Sequence, residues 1–304
     1  MKRTALTIFL GLVGLMGGNS LAPAQTVYPE KSLQLIVPFP PGGASDVVAR
    51  IIGGELETRL GKPVIIMNRP GGGTTIAAKE VARSAPDGYT LFFSSNSSFT
   101  LPAAVKESVP YDKDNPVKDV ASLVAEAKAN PDKLSLASFG VATVSHFAGE
   151  LFKSSAGVKM VHLPYKGSAP AMNDLIGKHI QYHVDTVIAV KPQIEAGTVK
   201  VLAVFSGKRT PYLPDVPTLA ELGYTGIDFA SWGAVVAPKG LPPAVHDKLT
   251  AALEEIVNSP SVIERFTTVG FEPGFMRYSD WAGAIGKETA EMKEIAQRAG
   301  IKEE

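Results

Sequence analysis

Cysteine is absent from all 304 residues. That excludes disulfides, thiolate metal sites and thiol nucleophiles, and it removes the lipid-modifiable cysteine a bacterial lipoprotein anchor requires. An excess of either charge is also missing. The 30 basic and 30 acidic side chains cancel, which leaves no electrostatic footprint for nucleic acid or an anionic membrane. The common catalytic signatures are lacking too. No Gly-x-Ser-x-Gly elbow, no phosphate-loop Gly-Lys-Ser/Thr and no Gly-x-Gly-x-x-Gly opening a helix occurs in the chain. The five histidines, His146, His162, His179, His183 and His246, are scattered. Only His179 and His183 are close in sequence, expected on one face of a strand, and two imidazoles without a third ligand make a poor zinc site. No metal and no cofactor is expected.

Long apolar runs are confined to the N-terminus. Lys2 and Arg3 precede a nearly unbroken apolar stretch at 5–16, and Ala22-Pro23-Ala24 has the small-x-small pattern of a signal-peptidase site. The run is shorter than the ~20 residues of a membrane span. Residues 1–24 are therefore expected to be an export signal cleaved near Ala24, with a periplasmic mature protein.

Apolar residues make up 45% of the chain, enough to fill the cores of about two domains. The continuous run at 33–39 suits a strand covered on both faces. A helix follows, with Val48, Ile52, Leu56 and Leu60 at four-residue spacing, Ser45 or Asp46 as cap and Gly61 at its end. Strand 63–67, helix 75–84 and strand 89–93 repeat the cycle, which implies a parallel sheet with right-handed crossovers. A second set follows: helix 117–129, strand 134–137, a helix carrying Phe147, Leu151 and Phe152, strand 161–164, a helix opened by Ser168 and Pro170, and strands 180–184 and 199–205. A strand at 229–237 and helices at 243–258 and 279–299 close the chain. The whole reads as an α/β protein of two lobes.

Ligands of parallel sheets sit beyond the carboxyl ends of the strands. Two loops fall there with suitable chemistry. Pro40-Pro41-Gly42-Gly43 precedes a helix start, whose unpaired N–H groups and partial positive charge suit a carboxylate, although a tight turn explains the glycines equally well. The stretch from Ser138 to His146 joins another strand end to a helix start and offers hydroxyls at Ser138, Thr143 and Ser145, each of which also suits helix capping.

Seven segments belong together: YPEKSLQLIVPFPPGGASD (28–46), NRPGGG (68–73), PDGYTL (86–91), ASFGVATVSHFAGELFKS (137–154), VHLPYKGSAPAMNDLIG (161–177), KRTPYLPDVPTLAELG (208–223) and SWGAVVAPKGLP (231–242). In this order they resemble the substrate-binding receptors of tripartite tricarboxylate transporters, the Bug family. The resemblance implies a periplasmic binding protein type II-like fold, two α/β lobes with a ligand cleft between them. It divides the chain into 25–112 with 232–304 as the first lobe and 113–231 as the second. It implies no enzymatic activity, a monomer, capture of a small organic carboxylate (a di- or tricarboxylate, an acidic amino acid or an aromatic acid), and delivery to membrane permease subunits. The ligand-binding positions it carries over are Phe39, Pro41, Gly42, Gly43 and Ala44, then Ser95 and Asn96, then Ser138, Gly140, Thr143, Ser145 and His146, and finally Asp185. A buried Asp185 is expected to repel a carboxylate unless water or an ammonium group intervenes.

The chain departs from the family pattern near Tyr111-Asp112-Lys113. Roughly two dozen residues are absent there, more than loops ordinarily vary. The expected consequence is loss of one of two strands crossing between lobes, an unpaired sheet edge and impaired closure on ligand. Ala142 replaces a frequent glycine. Two other readings remain at this level: a ligand sensor for a membrane signalling partner, and an exported enzyme whose groups converge only in three dimensions.

Overall fold

The structure, a computed structural model, describes residues 28–99, 105–112, 117–225, 230–231 and 233–299. The expected export signal at 1–24 lies outside them. Among the described residues no helix is long and apolar enough to cross a membrane.

The first lobe grows from the apolar run after Leu33. Strand β1 (Leu33–Val37) is buried at four of its five positions, as a strand covered on both faces must be. Helix α1 (Ala44–Leu60) turns Val48, Ile52, Leu56 and Leu60 to the core and stops at Gly61, left-handed with φ 67°. Strand β2 (Val64–Asn68), a 3₁₀ turn (Gly72–Thr74), helix α2 (Thr75–Ala82), strand β3 (Thr90–Ser95) and the short helix α3 (Asn96–Phe99) follow. Both β2 and β3 pair with β1 in parallel.

The chain then enters a second sheet through β4 (Val105–Asp112), a strand the sequence reading assigned to no element and placed in the first lobe. Helix α4 (Val120–Ala129) starts later than expected because Asp119 and Ser122 form a reciprocal capping box. Then come β5 (Ser135–Ser138), α5 (Val144–Ala156), β6 (Val161–Pro164), α6 (Ser168–Ile176), β7 (Tyr182–His183), β8 (Asp185–Thr186), α7 (Val187–Glu195) and β9 (Val199–Val204). The sequence reading ran one strand through 180–184 and saw no helix at 187–195, where Pro192 interrupts the pattern. The return passes through β10 (Ala230–Ser231) into β11 (Gly233–Val236). Helices α8 (Pro243–Asn258), α9 (Pro260–Thr268) and α10 (Tyr278–Ala299) close the fold.

Strand order is β11-β3-β1-β2 in the first sheet and β10-β4-β7-β5-β6 in the second, with β8 and β9 also on β4. The two passages between sheets lie side by side, because β10 pairs antiparallel with β4 and β11 antiparallel with β3. The unpaired edge expected from the shortened chain is not found at β4, which is bonded to β7, β8, β9 and β10. Two large apolar clusters form the lobe cores, one around Leu33, Leu35, Leu56 and Phe266, the other around Leu123, Phe152, Tyr182 and Phe205.

The lobes touch. Phe39, in the loop after β1, packs with the core of the second lobe and meets Phe139 edge to face, ring centres 5.8 Å apart. Ile188 of α7 packs in return with the core of the first. The Val144 amide donates to Ser97 Oγ at 3.2 Å.

Candidate functional site

Between the lobes lies a cleft with about 520 Å³ of atom-free space, part of it open to solvent. Of the expected site residues it brings together Phe39, Gly43, Ala44, Ser95 and Asp185. Its wall is largely apolar, with Val48, Phe93 and Phe139 beside Phe39, and Ile188 and Phe271 beyond them. Ser45, Ser168, Thr186 and Gly233 complete it.

The loop after β1 owes its shape to Asp46. This buried carboxylate accepts from the Gly42 amide at 3.0 Å, Arg50 Nε at 2.9 Å and Asn68 Nδ2 at 3.0 Å. Asn68 Nδ2 also donates to the Phe39 carbonyl at 2.9 Å. Burial pushes the Asp46 carboxyl up, but the bonds from Arg50, Gly42 and Asn68 outweigh it and hold the group below its ordinary value. Asp46 is thus not the cap of α1. The cap is Gly43, with no side-chain bond; its carbonyl takes the Asp46 and Val47 amides, while Ala44 and Ser45 of the same turn line the cleft. Pro41 and Gly42 are exposed and off the cleft, and the Gly42 amide is spent on Asp46. With φ at 88°, Gly42 shapes the turn.

The second expected loop turns inward instead of lining the cleft. Thr143 Oγ1 donates to the Gly140 carbonyl at 2.6 Å and Ser145 Oγ to the Val184 carbonyl at 2.6 Å. Ser138 Oγ lies 2.7 Å from His162 Nε2. His146 accepts from the Ala142 amide through Nδ1 at 3.2 Å and stacks on His162, ring centres 3.9 Å apart and planes 7° from parallel. Ser138, Gly140, Thr143, Ser145 and His146 are all buried, and these bonds tie them into the frame of the loop. Asn96 is likewise buried at the start of α3, off the cleft. From this loop only Phe139 reaches the cleft.

His146, Glu150 and His162 place ligand atoms within 4.8 Å of one another. The Lys153 ammonium, 2.6 Å from Glu150 Oε1, already neutralises that carboxylate, and the two imidazoles lie stacked face to face. Burial, reinforced by repulsion from His146, pushes His162 down to about 4. The expected pairing of His179 with His183 fails. His179 is exposed beside Asp174, whereas His183 is fully buried in β7.

Asp185 is the single ionisable group on the described wall of the cleft. Its Oδ2 accepts from Ser168 Oγ at 2.6 Å and its Oδ1 from the Thr186 amide at 2.7 Å. His183 Nε2 sits 3.0 Å from Oδ2, an ion-pair distance, though off the direction of a good hydrogen bond. Ser168 is the first residue of α6, not its cap; Gly167 holds the cap position without a side-chain bond. Serine at a strand–helix junction was the sequence signal for this contact. Phe271 and Gly233 had none, since they arrive from the returning chain.

Two α/β lobes, two adjacent crossings and a cleft walled by both define a two-lobed solute-binding protein with a type II periplasmic binding protein-like fold. Residues 48–114 and 109–301 match the sequence profile described as "Tripartite tricarboxylate transporter family receptor". The chain belongs to that family, whose members are receptors. Protein BugT of Bordetella pertussis is 32% identical over 324 positions, covering 99% of both chains. Because this chain has 304 residues, at least 20 of those positions have no counterpart here. Among solved structures, R. palustris Rpa4515 with adipate is 32% identical with a TM-score of 0.86, over 90% of this chain and 99% of that one. The periplasmic binding protein BugD is 33% identical with a TM-score of 0.84, over 91% and 100%.

Proposed function

We propose that the protein is an exported periplasmic receptor that captures a small organic carboxylate between its lobes and delivers it to membrane permease subunits, without catalysis and as a monomer. The observation that carries this reading is the cleft itself. It joins uncapped helix starts from both lobes, at Gly43 and Gly167, to an apolar wall, which is the combination a carboxylate with a carbon body requires. The adipate held by Rpa4515 is a ligand of that class.

The cleft gives catalysis little support. Ser168, Asp185 and His183 form a chain, but the serine hydroxyl bonds the carboxylate rather than the imidazole, and the imidazole is buried with its Nδ1 on the Ala137 carbonyl. No base is placed to activate the hydroxyl. The positions missing relative to BugT favour a second reading, a family member with impaired closure. Against it stand the paired β4 and the contacts between lobes.

Thermal unfolding with a panel of organic acids and amino acids tests both. A ligand at ~100 Kd adds about 2.7 kcal/mol, so a bound acid raises the midpoint clearly. A cooperative transition that no acid moves overturns the receptor reading in favour of impaired binding. Gly43→Val is expected to abolish binding with little change in stability. Its φ of −84° suits any residue, and a β-carbon there would lie 3.6 Å from that of Ser168, so the added methyls fill the seam between the lobes. Unchanged affinity in that variant removes the loop from the site.

A further inference from the structure

We propose that His146 is a positioning residue for the cleft: its imidazole fixes the peptide between Val141 and Ala142, and through it sets where Phe139 stands and how the lobes meet. This deepens the receptor reading above, on which its effect on ligand affinity rests.

The Ala142 amide donates to His146 Nδ1 at 3.2 Å. A trans peptide plane is rigid, so its N–H and C=O point in opposite directions. Holding the N–H of this plane therefore aims the Val141 carbonyl the other way, towards the first lobe. There a β-carbon on Gly73 would stand 2.8 Å from the carbonyl oxygen. Ala142 has φ 55°, a region disfavoured for a residue with a β-carbon, and turning the plane over relieves it. The bond to His146 opposes that turn. The ring is itself fixed, stacked on His162 with centres 3.9 Å apart and planes 7° from parallel. His162 is held in turn by Ser138 Oγ at 2.7 Å. Because Nδ1 accepts, the proton of the neutral ring is on Nε2, which faces Glu150 Oε1 at 3.6 Å.

The held peptide lies in the middle of the contacts between lobes. On one side of it Phe139 lines the cleft and meets Phe39 of the first lobe, ring centres 5.8 Å apart. On the other side the Val144 amide donates to Ser97 Oγ at 3.2 Å. Thr74, next to Gly73, braces the same serine by donating from Oγ1 to the Ser97 carbonyl at 3.3 Å. The Gly140 end of the loop is tied by Ser138 and Thr143, both of which donate to its carbonyl. The plane between Val141 and Ala142 is left to His146. His146 is buried and is not on the described wall of the cleft, so it reaches a ligand through the loop.

His146→Asn and His146→Gln separate this role from a direct contact with ligand. The asparagine Oδ1 stands where Nδ1 does and can accept from the Ala142 amide, whereas the glutamine amide reaches the place of Nε2 and leaves that donor without its acceptor. The full chain is titrated calorimetrically with adipate, benzoate and glutamate, and the amide resonances of Gly73 and Phe139 are followed by NMR. His146→Gln is expected to weaken whichever of these acids binds by about tenfold or more and to displace both resonances. His146→Asn is expected to bind at least about fivefold more tightly than His146→Gln, with both resonances closer to the parent. In the parent, a scalar coupling between the Ala142 nitrogen and His146 Nδ1 should report the bond directly. His146→Gln binding as tightly as His146→Asn, or a missing coupling, overturns the positioning role; a purely structural imidazole would lower both unfolding midpoints and leave the two affinities equal. If His146→Gln does not fold, a loss of more than about tenfold in His146→Asn overturns it instead. Silence of these acids and of the wider panel overturns the receptor reading alone, and the coupling and the two resonances then decide the role of His146.

Discussion

His162 shows how a side chain can be conspicuous in sequence and yet serve the frame. Its ring is packed under His146 with Nε2 on Ser138, and its value of about 4 lies well below the ordinary 6.5. A base whose folded value is depressed resists protonation, so its neutral-form stability is full above pH 6.5 and is lost as pH falls towards 4. The loss amounts to roughly 3 kcal/mol when complete. Urea denaturation across that window is expected to show stability rising with pH, and His162→Gln is expected to flatten the rise. Ala142 gives a second prediction. It adopts φ 55°, a region costly for any residue with a β-carbon, so Ala142→Gly should stabilise the protein by about 1 kcal/mol in the same assay. At this scale the sequence was legible in residue type and misleading in direction. Ser138, Thr143 and Ser145 look alike as cleft donors and as loop braces, and only the positions of the Gly140 and Val184 carbonyls decide between the two.

At the scale of elements, what periodicity could reveal was found. Helix α1 appears in the four-residue spacing from Val48, and β1 in an apolar run that only Gln34 interrupts. Strand β4 was hidden because VKESVPYD carries neither alternation nor an apolar run, and its pairing depends on strands far along the chain. Helix α7 was hidden by Pro192, and its cap Thr186 was overlooked with it. The loop after β1 was legible as a motif, but its internal tie was not: Asp46 supports Gly42 from the first turn of the helix while Asn68 reaches in from β2. Asp46→Ala leaves the Gly42 amide and both Asn68 and Arg50 short of an acceptor. A loss of about 1–3 kcal/mol is expected, read as a lower denaturation midpoint, since the Gly42 and Asn68 donors lose their acceptor together while the Arg50 charge stays half exposed. Lys for Arg at position 50 should cost far less, the partner being half exposed.

At the scale of the whole molecule, the contacts between lobes link the fold to binding. Gly73 is left-handed at φ 53°, and a β-carbon there would stand 2.8 Å from the Val141 carbonyl oxygen of the other lobe. Gly167 is equally constrained, since a β-carbon would come 2.4 Å from Pro40 Cδ. Both glycines let backbone from one lobe lie directly on the other, and neither role is visible before the lobes are brought together. Within its own lobe, alanine at Gly73 costs only the ordinary penalty of a left-handed residue, about 1 kcal/mol. Across the seam the clash is with backbone, which has no rotamer to yield, so the lobes must separate to relieve it. Gly73→Ala is therefore expected to keep a cooperative transition with a small drop in midpoint, to raise the radius of gyration in solution scattering, and to weaken ligand binding by about tenfold or more, as expected when the closed state is thinly populated. If affinity and scattering both match the parent, the seam at Gly73 does not govern closure. The cleft would then have to close on Phe39 and the α1–α6 junction alone.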